Sequence, residues 1–131
     1  MIYLDTSALV KLVRHEPESQ SLGDWLDSRA PTPWVSSALI EVELPRAIRR
    51  TEPALLPDVA SVIAQVSRYE IDAVVRAAAA SYPEPGLRSL DAVHLATARA
   101  VFGSRLTAFV CYDARLAEAA STIGLTCHTP R

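Results

Sequence analysis

The chain has only two cysteines, Cys111 and Cys127, and neither stands with histidine or another cysteine at zinc-finger spacing. That argues against a structural zinc module and against a disulfide-stapled scaffold. Basic charge is not in excess: 13 Lys and Arg stand against 15 Asp and Glu, a formal net charge of −2. A global basic footprint for nucleic acid is therefore missing, although a local patch and bound cations can still handle phosphate. No run is long and apolar enough to span a bilayer. The N-terminal apolar run is short, lacks a basic flank and ends in an acid, so it does not read as a signal peptide. A cytoplasmic location with reduced cysteines is expected. Internal repeats and low-complexity linkers are absent too. What is present is a chain of 131 residues that is 50% hydrophobic. That length suggests one domain, residues 1–131, with a core large enough to need no staples.

The chain is organised around Met1-Ile2-Tyr3-Leu4-Asp5-Thr6-Ser7-Ala8-Leu9-Val10. An apolar run stops at Asp5, and a helical pattern starts at once. This reads as a buried strand turning straight into a helix with an acid at the corner. In an open parallel sheet that corner is where ligands bind, and a carboxylate there suits a hard cation. Further on, helices are expected to about Arg14, over Glu18–Arg29, over Ala38–Arg50 with Ser36 or Ser37 as cap, and over Leu55–Ser67. Others are expected over Ala73–Tyr82 after Asp72, from Ser89 as cap, and from Asp113 until Gly124. Short strands are expected at Trp34–Ser36, Tyr69–Ile71, Thr107–Cys111 and Leu125–Cys127. Pro45 should kink its helix or make an irregular turn there. Short strands alternating with helices predict an α/β fold, with helices around a mostly parallel central sheet.

Four acids share a logic in this arrangement. Asp5 ends one strand and Asp113 follows another, so right-handed crossovers put both on one rim. Helices starting at that rim can add Asp91 and Glu43. Glu41 and Glu43 point to nearly opposite sides of their helix, and Glu43 lies nearer the apolar stripe, so Glu43 is the candidate. Each acid could equally serve a helix N-terminus or a solvated face. Together, four packed carboxylates call for a cation. Mg²⁺ or Mn²⁺ would suit oxygen ligands, orient a phosphodiester and activate a water for hydrolysis.

The motifs Tyr3–Leu12, Ser37–Leu44 with Arg46-Ala47, Ser89–Ala98 and Phe109–Leu116 jointly resemble the PIN-domain family, and within it the VapC-type toxins of bacterial toxin–antitoxin pairs. The resemblance implies a three-layer α/β/α sandwich around a parallel sheet. It implies an Mg²⁺- or Mn²⁺-dependent endoribonuclease that hydrolyses RNA with a metal-activated water. The family's acidic, metal-binding site would map onto Asp5, Glu43, Asp91 and Asp113. The resemblance also implies a homodimer and a cognate antitoxin, VapB-type, whose tail covers the cleft. One departure is Cys111, where the family usually carries Thr or Ser, which puts the hydroxyl contact there in question. Thr6 and Ser7 remain candidates to hold phosphate or metal water, or simply cap residues.

Other residues have plainer expectations. His94, three residues after Asp91, is expected as a packed or supporting histidine rather than a general base. Lys11, Arg14, Arg46, Arg49, Arg50, Arg88 and Arg115 could line an RNA path or be solvated. Rival functions are a non-catalytic PIN-like binding module and a PIN nuclease acting on structured DNA. An aspartyl-nucleophile phosphatase would want a second acid just behind Asp5, and Thr6-Ser7-Ala8 supplies none.

Overall fold

In the computed structural model, which describes residues 1–131, the N-terminal apolar run forms strand β1 (Ile2–Leu4), buried throughout. Burial on both faces is what a central strand of a parallel sheet requires. β1 pairs in parallel with β2 (Trp34–Ser37) on one side and β4 (Ala108–Val110) on the other. β3 (Val66–Tyr69) extends the sheet beyond β2, and β5 (Cys127–His128) beyond β4. The order is β3-β2-β1-β4-β5, all parallel.

Alternation along the strands divides the core in two. Ile2, Leu4, Ala108 and Val110 pack with α1 (Thr6–Val13), α2 (Ser19–Asp27), α3 (Ile40–Thr51) and α4 (Leu56–Ile63), through Leu9, Leu22, Leu44 and Val59 among others. Tyr3, Val35 and Phe109 face the other way, onto Leu95 of α6 (Ser89–Ala96) and onto Leu116 and Ala120 of α7 (Ala114–Thr122). Helix α5 (Ala73–Ser81) packs on α6. This is the expected α/β/α sandwich. The chain steps outward from β1 to β3, then crosses back to β4, so strand order reverses between β1 and β4. Ligands bind outside the carboxyl ends of the strands at such a switch point. Asp5 directly follows β1 there, and Asp113 follows β4.

Several boundaries differ from expectation. Helix α3 starts at Ile40, because Ser36 and Ser37 belong to β2. Ser36 Oγ donates to the Leu4 carbonyl at 2.7 Å, and Ser37 Oγ accepts the Leu39 N–H at 3.1 Å. These hydroxyls fasten a strand and a turn rather than cap the helix. α3 then continues across Pro45 without an irregular turn. The helix expected to reach Ser67 ends at Ile63, after a 3-10 turn at Pro53–Leu55. Val66 and Ser67 instead pair with Trp34 and Val35, which sets β3 earlier than the strand expected at Tyr69–Ile71. Ser89 is the first residue of α6 and Arg88 its cap position. α6 runs on into a π-type turn, Thr97–Phe102, and a 3-10 turn, Gly103–Arg105. The last strand is Cys127–His128, not Leu125–Cys127, because Phe109 and Val110 select those partners. Gly124, at φ 89°, ends α7 as expected.

Candidate active site

Asp5 is only 4% exposed. It caps α1: Oδ1 accepts the Ala8 N–H at 3.1 Å and the Ser7 hydroxyl at 2.6 Å. Ser7 Oγ in turn accepts the Tyr112 N–H at 2.8 Å, which ties the end of β1 to the segment after β4. Burial pushes the Asp5 carboxyl up to about 6, against the opposing pull of His94 and of the Ser7 and Ala8 hydrogen bonds.

Glu43 projects from the first turn of α3 toward Thr6, the residue after Asp5. Its Oε1 accepts the Thr6 hydroxyl at 2.7 Å and lies 2.7 Å from His94 Nε2. Burial raises the Glu43 carboxyl, but His94, Thr6 and the Arg88 charge outweigh it and hold the group below the usual carboxylate range. His94 is itself buried, and its Nδ1 lies 2.7 Å from the Tyr3 hydroxyl. Glu41, by contrast, is exposed and pairs with Arg68 at 3.5 Å. Of the two, Glu43 is the one that faces Thr6 and His94.

Asp91 and Asp113 are joined by a residue the sequence had offered only as one of several surface arginines. Arg88 Nε lies 3.2 Å from Asp91 Oδ2, and another of its guanidinium nitrogens lies 3.2 Å from Asp113 Oδ2. Asp113 Oδ1 caps α7 by accepting the N–H groups of Arg115 and Leu116. The Arg88 charge also acts on Glu43, though less than burial, His94 and Thr6 do. Beside Asp91 opens a cleft of about 450 Å³, also lined by Arg88, Arg115, Glu84 and Glu118.

The donor set can be compared with what a divalent ion needs. Asp5 and Glu43 each tie one oxygen to the protein and leave the other, Oδ2 and Oε2, without a protein hydrogen bond. No fully buried side-chain oxygen lacks a partner, so these free oxygens keep some access to solvent. No three acidic, histidine or cysteine side chains converge into a preformed cage. Mg²⁺ seldom uses such cages; it keeps several waters and is held by one or two carboxylates plus substrate phosphate. Free carboxylate oxygens on one rim fit an ion of that kind.

The remaining candidates separate clearly. Lys11 is packed between Glu16 and Glu18 at 3.3 and 2.8 Å and sits over the Tyr112 ring, so it is structural. Arg14 pairs with Glu16 and Glu52. Arg46, Arg49 and Arg50 line a shallow hollow together. Cys111 is fully buried, and burial pushes its thiol far above the usual range, so it packs rather than reacts. The roles of Tyr3 and Arg88 were missed. The i,i+3 spacing of Arg88 and Asp91 was the one local signal for the latter.

The family model for the PIN domain matches residues 2–122. The chain is 58% identical to Ribonuclease VapC35 of Mycobacterium tuberculosis over 131 residues, covering 99% of this chain and 97% of that protein. It is 38% identical to Ribonuclease VapC46 of the same species, covering 98% and 97%. Two solved structures share the fold. One is M. tuberculosis VapC20, titled a Sarcin-Ricin loop cleaving toxin, with TM-score 0.72, 16% identity and 96% and 97% coverage. The other is VapBC2 of Rickettsia felis bound to a promoter DNA fragment, with TM-score 0.68, 14% identity and full coverage of both chains. An acidic rim at the switch point of this sheet, and matches over nearly the whole length, mean that the chain belongs to the PIN-domain family and is one of its VapC-type members.

Proposed function

We propose that the protein is a divalent-metal-dependent endoribonuclease that serves as the toxin of a toxin–antitoxin pair, with residues 1–131 acting as one nuclease domain in the cytoplasm. Two observations support this reading. Asp5 and Glu43 each keep an oxygen free of protein hydrogen bonds, and Asp91 and Asp113 are bridged by Arg88, in a chain 58% identical to a protein named Ribonuclease VapC35.

Asp5 and Glu43, with Asp91 and Asp113, would hold Mg²⁺, or Mn²⁺ in its place. When bound, such an ion lowers the pKa of a water, orients the scissile phosphate and offsets charge on the leaving oxygen. The protein's part is positioning. Ser7 and the Ala8 N–H fix Asp5, and Thr6 and His94 fix Glu43. Fixed carboxylates keep the reacting groups aligned, which is where much of the rate of such hydrolysis arises. Thr6 and Ser7, the phosphate-binding candidates, give their hydroxyl hydrogens to Glu43 and Asp5 in this state. Contact with phosphate would exchange those bonds. With Cys111 buried, its thiol does not compete with water as a nucleophile.

The partners follow the family: RNA as substrate, a VapB-type antitoxin whose extended or helical tail covers the cleft, and a second copy of the chain. The solved VapBC2 assembly, which has the same fold, supports the antitoxin.

The test is incubation of purified, antitoxin-free protein with total RNA in Mg²⁺, in Mn²⁺ and in EDTA, with fragment ends sequenced. Discrete cuts that need the metal are expected. Cleavage that persists in EDTA would remove the metal from the account. Binding of RNA without any cut would favour a non-catalytic module.

A further inference from the structure

Arg88 stands where a cation is needed. Its guanidinium forks across Asp91 Oδ2 and Asp113 Oδ2, each at 3.2 Å, joining carboxylates from the starts of two helices. The Arg88 side chain is 68% exposed. Exposed ion pairs are weak and exchange readily, because solvent screens them and the long side chain loses freedom in forming them. The contact is thus easily given up to a divalent ion.

We propose that Arg88 is the site's own placeholder cation: it neutralises Asp91 and Asp113 in the metal-free protein, yields both oxygens when a divalent ion binds, and then takes an RNA phosphate. This rests on the reading of the site as a metal-dependent nuclease. Arg88 is the one basic residue that bridges two of the four acids. Asp113 has its other oxygen committed to α7, so Arg88 covers the oxygen that remains. A second arginine prepares the destination. Arg115 forms no ion pair, yet lines the same 450 Å³ cleft as Arg88 beside Asp91. A guanidinium released from the acids stays in that cleft, with Arg115. Its planar fork matches phosphate as well as carboxylate, so one group serves both states.

The experiment compares wild type, Arg88→Gln and Arg88→Lys by calorimetric titration with Mn²⁺ and by RNA cleavage kinetics at saturating Mn²⁺. Arg88→Gln is expected to bind Mn²⁺ roughly two- to five-fold more tightly, the scale of one exposed pair removed from competition. Its KM for RNA should rise several-fold with kcat less affected, and the salt slope of binding should fall by about one. Arg88→Lys keeps the charge without the fork and should follow Arg88→Gln in Mn²⁺ affinity. Circular dichroism establishes that both variants fold. Unchanged or weaker Mn²⁺ binding by Arg88→Gln overturns the proposal, as does an Arg88→Lys protein indistinguishable from wild type. In either case wild-type metal binding and cleavage leave the nuclease reading standing. A wild-type protein that binds no Mn²⁺ overturns both.

Discussion

His94 stands between a buried phenol and a half-buried carboxylate: Nδ1 lies 2.7 Å from the Tyr3 hydroxyl, and Nε2 lies 2.7 Å from Glu43 Oε1. An ionised carboxylate only accepts, so Nε2 carries the proton it gives to Glu43. Burial holds the Tyr3 phenol far above its usual range, so it keeps its proton. The strand thus sets the angle of the ring, and the ring sets Glu43.

Tyr3→Phe tests that arrangement. It leaves Nδ1 buried without its hydrogen-bond partner, which should cost about 1–3 kcal/mol in urea unfolding. Cleavage should fall less than in Glu43→Gln, because Tyr3 acts on the site only through His94. Equal stability of Tyr3→Phe and wild type would mean that the ring does not depend on the phenol.

The buried Asp5 gives the metal-free protein a pH dependence of definite sign. Its carboxyl titrates at about 6 folded, against 3.8 as the ordinary value. The folded state therefore holds this proton more tightly. The stability associated with it is complete below 3.8 and is lost as pH rises through about 6. That interval corresponds to roughly 3 kcal/mol. Asp5→Asn keeps an oxygen for Ser7 and Ala8 but carries no charge. In EDTA it should be the more stable protein at pH 7, by up to about that amount, with the advantage shrinking toward pH 4. An advantage that does not change with pH would contradict the assignment.

Ser7→Ala removes the link between the end of β1 and the segment after β4. The Tyr112 N–H loses its acceptor and Asp5 loses its shortest hydrogen bond, 2.6 Å. A loss of about 1–3 kcal/mol is expected in denaturant unfolding, with weaker Mn²⁺ binding as Asp5 loosens. Stability and Mn²⁺ affinity both unchanged would show that Ser7 is a replaceable cap residue.

Much of the layout of these candidate residues was readable because local rules govern it. An apolar run ending in Asp5 marks a strand end, and the helical wheel separates Glu43 from Glu41. Asp113 opens α7 as an Asp cap should. Strand β3 was misplaced for a physical reason: as an edge strand it exposes Ser67, Arg68 and Tyr69, and its register comes from β2. Neither fact leaves an alternating pattern. The partners of Arg88 and His94 were also hidden. Arg88 meets Asp113 across 25 residues, and His94 meets Glu43 across 51. Spacing tells which face of a helix a residue occupies, but not what the fold brings against that face.

The most direct measurement is cleavage of one defined RNA, in Mn²⁺ at pH 7, by wild type and Asp5→Asn side by side. The account predicts a fall of about a hundred-fold or more, the scale of removing a charged group from the reacting centre, in a variant that is folded and no less stable. Metal-dependent cleavage by Asp5→Asn within a few-fold of wild type would contradict the claim that this acidic rim is the active site.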